Sequence, residues 1–528
     1  MVTRKETAPQ AKSELKSAAK PRIFVPMAKA DDIVDVLVVG GGVNGTGIAR
    51  DASGRGLSVI LCEQNDLASG TSSKATKLFH GGLRYLEQFD FLLVRKALIE
   101  REVLLQNMPH ISRPMRFVLP HVAGMRPAWL LRLGLFMYDH LGGRKLLPPT
   151  KGLDLRRDVA GIPLKPGFRK GFEYSDGWVD DARLVVLNAR DAADRGAKIR
   201  PQTQVAKAVR DADFWRVTVI DKGSGQLTEI KTKALINAAG PWVSLFMEQA
   251  LGRPEFDRIR LVRGSHIVVK KLFDHDRAYI FQNPDGRIIF AIPFEEDFTL
   301  IGTTDQDHSG SPSDVECSEE EKSYLCLAAS EYFAKPVSAK NIVWTYSGVR
   351  PLDDDLGVDA KDASRDYQIK IDDQNGKAPL ISIYGGKITT FRKLSEQVVA
   401  ELALYAELTG RAWTNHTPLP GGDFTFDDGK RLQDDLAKNY PFLEPRCVHR
   451  LFAAYGTQAG MVMGDAKSHK DLGMKFGGGL SEREVRWLMQ NEWAKCADDI
   501  VWRRSKLGLR MTKGQIGALD RWIAEKEK

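Results

Sequence analysis

The amino-acid sequence predicts an α/β protein in which a parallel sheet comes first, a mostly antiparallel sheet follows and helices end the chain. Three observations predict this order. A strand–helix–strand pattern covers residues 35–63, short alternating strands cover 251–342, and helical periodicity covers 429–528. With 528 residues, the chain is long enough for two or three domains.

The first of these segments has the features of a Rossmann-like dinucleotide-binding unit. Two buried strands, Val36–Gly40 and Leu57–Leu61, flank a helical stretch. The turn into the helix carries a G-x-G-x-x-G spacing, formed by Gly40, Gly42 and Gly45. These glycines permit a tight turn, let a pyrophosphate approach the backbone and bring the helix close to the sheet. The N-terminus of the helix attracts the phosphates.

An acidic residue ends the second strand. Glu63 follows Gly40 by 23 residues and is placed to accept hydrogen bonds from the 2′- and 3′-hydroxyls of a ribose. A carboxylate there disfavours a 2′-phosphate, so NADP is not the expected nucleotide. The prediction of a dinucleotide-binding unit is specific, because the first strand, the glycines, the helix, the second strand and the acidic residue occur together in this order.

Small hydroxyl residues and glycines dominate residues 66–86. Such a loop is able to wrap around a cofactor, and it directly follows the ribose acid. An ordinary Ser/Gly-rich loop is the alternative. After it, Phe91–Asn107 has the periodicity of an amphipathic helix.

Residues 127–138 are apolar on most sides, contain Trp129 and Tyr138, and are flanked by basic residues. The segment is too short to span a bilayer, and it suits either a helix lying in the membrane interface or a packed core helix. A second helical segment is expected from Gly171 through Arg195.

Two later strands are predicted to return to the first unit. Leu235–Trp242 is a buried strand ending in Ala238-Ala239-Gly240, a pattern that favours FAD over NAD. Residues 380–392 form a strand, a Gly385-Gly386 turn and a helix. The N-terminus of that helix would face the flavin pyrimidine, or the segment is a plain strand–helix turn.

Composition sets limits on location and partners. The five cysteines are scattered without a CxxC pair, which argues against disulfides and a zinc site, so no metal is expected. Of the net charge of +8, +5 lies in residues 1–30, and the remaining +3 is too small to indicate nucleic-acid binding. The predicted domains are a disordered basic tail (1–31), a nucleotide-binding domain (32–250 and 343–410), a substrate-binding β domain (251–342) and a C-terminal helical domain (411–528).

From Asp35 to the C-terminus, the chain resembles the family of FAD-dependent, membrane-associated bacterial sn-glycerol-3-phosphate dehydrogenases. The segments that carry the resemblance are Val39-Gly-Gly-Gly-x-x-Gly-Thr-Gly-x-Ala-x-Asp51 with Arg55-Gly56, Thr71-Ser-Ser, Lys77-Leu, His80-Gly-Gly-Leu-Arg-Tyr85, Gly264-Ser-His266, Gly302-Thr-Thr-Asp305, Tyr346-Ser-Gly-Val-Arg-Pro351 and Gly385-Gly-Lys387. Two mild departures are Phe391, where tyrosine is usual, and Ser395, where alanine is common.

This resemblance implies a fold of the D-amino-acid-oxidase and glycine-oxidase type with a C-terminal helical cap domain. It implies oxidation of glycerol 3-phosphate to dihydroxyacetone phosphate by hydride transfer to FAD, with ubiquinone or menaquinone as acceptor. The expected location is the cytoplasmic face of the bacterial inner membrane, in peripheral or monotopic attachment, and a homodimer is left open. The alternatives are an oxidase that uses molecular oxygen and a non-catalytic, flavin-holding membrane subunit.

The resemblance also implies the site residues. The catalytic set is His266, Arg350 and Lys387, and the substrate-binding set is Arg84, Tyr85 and Arg365. The cofactor-binding set is Gly40, Gly42, Asn44, Gly45, Glu63, Thr71, Ser72, Ser73, Lys77, His80, Gly81, Gly82, Ala239, Gly240, Gly385, Gly386 and Thr389. His266 is the expected proton acceptor, because its ordinary pKa lies near neutrality. Arginines suit the phosphate, since a guanidinium binds a dianion through two parallel hydrogen bonds.

Overall fold

The computed structural model describes residues 33–122, 125–253, 259–283, 285–353 and 366–526. The predicted basic tail, 1–31, lies outside this part of the chain. The strands are β1 (Val34–Val39), β2 (Val59–Cys62), β3 (Leu78–Phe79), β4 (Ser112–His121), β5 (Lys151–Asp154), β6 (Lys170–Val179), β7 (Lys198–Arg200), β8 (Thr203–Arg210), β9 (Trp215–Asp221), β10 (Leu227–Asn237), β11 (Ile259–Lys270), β12 (Ala278–Gln282), β13 (Ile288–Phe294), β14 (Phe298–Gly302), β15 (Gln306–Asp307), β16 (Ile342–Asp353), β17 (Gln368–Gln374), β18 (Lys377–Tyr384), β19 (Lys475–Gly477) and β20 (Leu480–Ser481).

The α-helices are α1 (Val43–Gly54), α2 (Phe91–Asn107), α3 (Ala128–Leu141), α4 (Asp181–Asp194), α5 (Val243–Leu251), α6 (Glu319–Tyr332), α7 (Phe391–Leu402), α8 (Phe426–Asn439), α9 (Pro445–Tyr455), α10 (Ala459–Met463), α11 (Glu482–Glu492) and α12 (Lys513–Lys526). A π-helix covers Asp499–Arg504. None of the helices in the described ranges is long and apolar enough to cross a membrane.

The first sheet has the strand order β17-β18-β10-β1-β2-β7, with β9 and β8 continuing from β10. Strands β18, β10, β1, β2 and β7 run parallel, so their carboxyl ends meet at one edge of the sheet. Helices α1, α4 and α7 cover one face of the sheet and form an apolar core with it. The predicted strand–helix–strand unit and the predicted return of residues 235–237 to it are therefore confirmed.

The second sheet has the order β15-β11-β14-β13-β12-β4-β6-β3, with β16 on β11 and β5 on β6. It is antiparallel except between β12 and β4. The sheet takes strands from 78–179 and from 342–353 as well as from the predicted segment 251–342. Its location beside the carboxyl ends of the parallel strands makes it the second wall of the site described below.

One predicted helix is wrong in its first half. Residues 170–179 form strand β6, and the helix begins only at Asp181, where the Asp180 side chain caps it by accepting from the Arg183 amide. β6 pairs with β4 on one side and with β5 or β3 on the other, and most of its side chains are buried. This pairing with distant strands overrides the local pattern.

The C-terminal helical domain is fastened to the other two layers by buried ion pairs. Arg183 of α4 pairs with Glu492 of α11, and Arg504 of the π-helix pairs with Asp66 just after β2. Trp502 stacks on Trp344 of β16 with ring centroids 4.6 Å apart. The domain thus holds the start of the loop that follows Glu63.

Candidate active site

The turn after β1 has the geometry that its glycines predict. Gly40 has a φ of +108°, which favours glycine. A Cβ at Gly45 would lie 2.0 Å from the Gly40 carbonyl oxygen, so α1 packs against the turn only because residue 45 is glycine. A Cβ at Gly42 would approach only the hydroxyl of Ser72. This hydroxyl accepts a hydrogen bond from the Val43 amide at 3.0 Å. The backbone here is open to an approaching pyrophosphate.

Glu63 lies at the adjoining strand end. Its carboxylate accepts from the Gly41 amide at 2.7 Å and from the Asn65 amide at 2.8 Å. Burial raises the pKa of Glu63, and the two amide hydrogen bonds oppose that effect. Each oxygen keeps further acceptor capacity for a ribose hydroxyl.

A cavity of about 570 Å³ extends from this turn to the antiparallel sheet. Predicted cofactor residues that line it are Gly40, Gly42, Asn44, Glu63, Thr71, Ser72, His80, Gly82, Ala239, Gly240, Gly385, Gly386 and Thr389. Predicted cofactor residues outside the lining are Gly45, Ser73, Lys77 and Gly81. Of the predicted catalytic and substrate residues, Tyr85, Arg350 and Lys387 line the cavity and His266 does not. The Arg84 side chain and all of Arg365 lie outside what the structure describes.

Lys77 lies behind the wall of the cavity. Its amine is 2.7 Å from a carboxylate oxygen of Asp181, and both side chains are 0% exposed. Burial lowers the pKa of Lys77, and the carboxylate opposes that effect. Its side chain therefore stabilises the contact between the loop and α4.

The His80-Gly81-Gly82 turn is fixed by other parts of the chain. The His80 amide donates to the Thr389 hydroxyl at 3.2 Å. The Gly81 amide donates to the Tyr138 hydroxyl of α3 at 2.7 Å. These bonds hold the turn between α3 and the segment after β18, with His80 and Gly82 at the cavity wall.

Arg350 and Lys387 are two cations in the cavity wall on the side of the antiparallel sheet, and the carboxylate of Asp305, which also lines the cavity, balances the charge of Arg350. Arg350 is 2.5 Å from Asp305 and donates to the Thr303 hydroxyl at 3.0 Å. The missing side chain at Gly264 leaves room for its guanidinium, because a Cβ there would lie 2.6 Å from a guanidinium nitrogen. The Lys387 amine lies 3.9 Å from the centroid of the Tyr85 ring.

His266 lies behind the cavity wall and contacts one residue of that wall, Thr76. Its Nε2 is 3.0 Å from the hydroxyl of Thr76, which lines the cavity. The imidazole stacks on Tyr346, with centroids 4.7 Å apart. Burial lowers the pKa of His266 well below its ordinary value, and the charges of Arg350 and Lys77 add to the effect.

Several residues that line the cavity were not predicted from the sequence. Two of them, Thr303 and Asp305, lie in a segment that carries the family resemblance, and Thr76 directly precedes another. A threonine or an aspartate alone does not indicate a place in a cavity wall. The apolar residues Ile280, Ile288 and Phe290 lie in predicted strands, and strand alternation alone assigns them only to one face of a sheet.

The parallel sheet, the glycine turn and the acid at the second strand define a dinucleotide-binding protein. Two family models match the chain. The model described as FAD dependent oxidoreductase matches residues 35–375, and the C-terminal domain of alpha-glycerophosphate oxidase matches residues 412–525. The chain belongs to the FAD-dependent oxidoreductase family.

Individual relatives are similar over nearly the whole chain. The glycerol-3-phosphate dehydrogenase of Pseudomonas aeruginosa is 47% identical over 94% of this chain and 96% of its own length. The D-erythritol 1-phosphate dehydrogenase of Brucella abortus is 47% identical over 93% of this chain and 97% of its own length. The crystal structure of the Bacillus halodurans glycerol-3-phosphate dehydrogenase in complex with FAD has a TM-score of 0.75, with 26% identity over 94% of this chain and 91% of that chain.

FAD is the cofactor of this family, and the residues of the cavity fit it. The Gly40–Gly45 turn leaves the backbone open for the pyrophosphate, and Glu63 has acceptor capacity for the ribose. The buried Oδ1 of Asn44 has no hydrogen-bond partner within the described ranges, although it lies at the cavity wall. A bound FAD would give it a donor. The preference for FAD over NAD and the predicted fold class are confirmed.

Proposed function

We propose that the protein oxidises sn-glycerol 3-phosphate to dihydroxyacetone phosphate with FAD and passes the electrons to a membrane quinone, ubiquinone or menaquinone. The observation that carries the substrate class is that two cations, Arg350 and Lys387, both line the cavity. A phosphate ester with two negative charges fits such a site better than a neutral alcohol. Bound FAD supplies a hydride acceptor for the C2 hydrogen of the substrate.

The chain's own residues have separate proposed roles. Arg350 and Lys387 stabilise negative charge that develops on the C2 oxygen and on the reduced cofactor. Tyr85, whose ring lies against the Lys387 amine, orients the glycerol group. Arg84 and Arg365 are proposed to bind the phosphate.

We propose His266 as the acceptor of the hydroxyl proton, acting through Thr76. Burial lowers the pKa of His266, so the imidazole is neutral at pH 7 and has a lone pair for the proton, but it binds a proton less readily than an exposed histidine does. The 3.0 Å contact between Nε2 and the Thr76 hydroxyl gives the route, because Thr76 lines the cavity and His266 does not.

The deciding experiment is anaerobic addition of glycerol 3-phosphate to the purified yellow protein. The visible absorbance of the flavin should bleach, whereas protein that stays oxidised would contradict the proposal. His266→Ala should lower turnover by about 10²–10⁴-fold with FAD still bound. The control is His416→Ala, which removes an exposed histidine. Stoichiometric hydrogen peroxide in air would indicate the oxidase alternative.

D-erythritol 1-phosphate is a second candidate substrate. The observation that favours it is the identity of 47% to the Brucella abortus enzyme, equal to that of the Pseudomonas aeruginosa relative. The two substrates share the phosphate and the adjoining carbons and differ by one CHOH unit. Measurement of kcat/KM for both compounds separates them, and we expect the three-carbon ester to be preferred.

We further propose that the outer face of α3 attaches the protein to the cytoplasmic face of the inner membrane. Trp129, Leu133 and Phe136 project there with 68%, 48% and 58% of their surface exposed. Exposed basic residues in α3 and its flanking segments are Arg126, Arg132 and Lys145, and the helix α2, which contacts α3, carries the exposed residues Arg95 and Lys96. An apolar stripe beside cations matches a bilayer surface that contains anionic lipids.

Sedimentation with vesicles tests this attachment. The protein should bind vesicles that contain phosphatidylglycerol, and Trp129→Ser with Phe136→Ser should reduce binding without loss of flavin. A matched control is Leu404→Ser, which changes an exposed apolar residue far along the chain. Equal binding by both variants would exclude α3 as the attachment surface.

A further inference from the structure

Helix α3 carries a buried phenol that reaches the turn beside the cavity. Tyr138 is 1% exposed, and its hydroxyl accepts from the Gly81 amide at 2.7 Å. The same hydroxyl donates to the Asp176 carboxylate at 2.7 Å. The ring of a phenylalanine would fill the same space, so the contribution that is particular to tyrosine here lies in these two hydrogen bonds.

Asp176 fixes the direction in which the hydroxyl of Tyr138 points. The phenol has one hydrogen, and donating it to the carboxylate leaves the oxygen's lone pairs for the Gly81 amide. Arg101 holds the carboxylate in place by donating to it at 2.6 Å, and all of these side chains are buried. A Cβ at residue 81 would lie 2.8 Å from the phenol oxygen, so a glycine there lets the hydroxyl approach the backbone closely.

The His80–Gly82 turn contacts the surroundings of Lys387 at two points. The His80 amide donates at 3.2 Å to the hydroxyl of Thr389, which lies two residues after Lys387. On the other side of the turn, the Tyr85 ring packs against Gly82, where a Cβ would lie 2.2 Å from a ring carbon. The Lys387 amine lies 3.9 Å from the centroid of this ring. A displacement of the turn would therefore reach the lysine by both contacts.

We propose that Tyr138 is a positioning residue for Lys387 and that it acts through the His80–Gly82 turn. The inference rests on the proposed function, in which Lys387 stabilises negative charge on the C2 oxygen and on the reduced cofactor. Without the phenol, the Gly81 amide keeps only the longer contact to Asp176, at 3.3 Å, and the turn moves toward that carboxylate. A displacement of about 1 Å at a charged group is enough to lower turnover.

The first test is Tyr138→Phe, which removes the hydroxyl and keeps the ring. Its kcat for glycerol 3-phosphate should fall about tenfold with little change in KM, because the lost stabilisation belongs to the transition state. The midpoint potential of the flavin, measured by photoreduction with reference dyes, should also fall, by about 30 mV for a tenfold loss of stabilisation of the reduced form. The control is Tyr455→Phe, which removes a buried hydroxyl 3.0 Å from the Glu484 carboxylate in the C-terminal domain and should change neither quantity.

A double variant decides whether Tyr138 acts through Lys387. Tyr138→Phe added to Lys387→Ala should lower kcat and the potential no further, since residues that act in one network are not additive. A second full loss in the Lys387→Ala background, or an unchanged potential in Tyr138→Phe alone, would overturn the inference. The potential requires no substrate. A protein that does not oxidise glycerol 3-phosphate therefore contradicts the proposed function, while the potential still decides the role of Tyr138.

A second variant covers the case in which Tyr138→Phe releases the flavin. Thr389→Val keeps the shape of the side chain and removes the hydroxyl that accepts from the His80 amide, so it breaks the same connection on the side of Lys387. It should lower the potential and add nothing to Lys387→Ala. An effect of Thr389→Val that persists in the Lys387→Ala background would speak against the inference. Release of flavin by both variants would also overturn it, because the turn would then hold the cofactor itself.

Discussion

Replacing Lys77 tests whether this residue stabilises the fold or binds the cofactor. Lys77→Met removes the amine and keeps the aliphatic stem, which leaves Asp181 buried beside an apolar group. Removing one partner of a buried ion pair costs about 3–5 kcal/mol, because the remaining charge is uncompensated. Lys506 is a further cation near Asp181 and offsets part of this cost, so we expect about 3 kcal/mol. That is a large fraction of the 5–15 kcal/mol that is usual for a folded protein.

Replacing Asp181 as well separates the stabilising role of Lys77 from a role in binding the cofactor. Lys77→Met with Asp181→Asn removes both charges, so the double variant should be more stable than Lys77→Met alone by about 1–3 kcal/mol. The assay is urea unfolding followed by circular dichroism, together with titration of apoprotein with FAD. If Lys77 only fastens the loop, the double variant regains FAD affinity along with stability. If its amine contacts FAD, stability returns and affinity does not.

The control for this experiment is an exposed ion pair. Lys393 is 2.7 Å from Glu396 and its side chain is 56% exposed, so Lys393→Met should cost no more than about 1 kcal/mol. A Lys77→Met variant as stable as Lys393→Met would refute the reasoning, because two charges with no access to water would then contribute no more than a surface pair.

Two further predictions concern the glycine turn and a buried histidine. The Gly45→Ala variant should lose its flavin on purification, because the added Cβ would lie 2.0 Å from the Gly40 carbonyl oxygen. The control is Gly134→Ala, whose added Cβ has no atom within 4 Å and which should leave flavin content unchanged. Burial lowers the pKa of His110 from 6.5 to about 3, so the unfolded chain binds more protons than the folded one between these pH values, and stability is lost as the pH falls below 6.5. Between pH 7 and 5 this residue should account for about 2 kcal/mol of the lost stability. Urea unfolding at the two pH values measures this loss. The His110→Phe variant should lose about 2 kcal/mol less than the unchanged protein, and the control variant His416→Gln should lose as much as the unchanged protein.

The nucleotide end of the site was predictable because its determinants are local. Gly40, Gly42, Gly45 and Glu63 fall within one strand–helix–strand unit, and each has a physical requirement that a single residue type meets. The structure places three of them at the cavity wall and the fourth directly beneath the turn. No distant contact was needed to locate this end.

Strand β6 shows why other parts were not predictable. Residues 170–179 have the composition of several possible elements, and only their pairing with β4 and β5 makes them a strand. The helix α2, in contrast, begins and ends where its periodicity predicts, because its pattern is long and Asp90 caps it. The length of a periodic pattern therefore decides how much the sequence alone reveals.

The chemical end of the cavity depends on contacts between residues that are far apart in the chain. Lys77 and Lys387 both occur in segments that carry the family resemblance, yet Lys77 is buried against Asp181 while Lys387 lines the cavity beside Tyr85. Residue type cannot separate these outcomes, since a lysine is suited to both. His266 gives the same lesson, because the turn that holds Thr76 stands between it and the cavity. The proposed proton route therefore depends on two distant segments together, and substitution of either residue should change it.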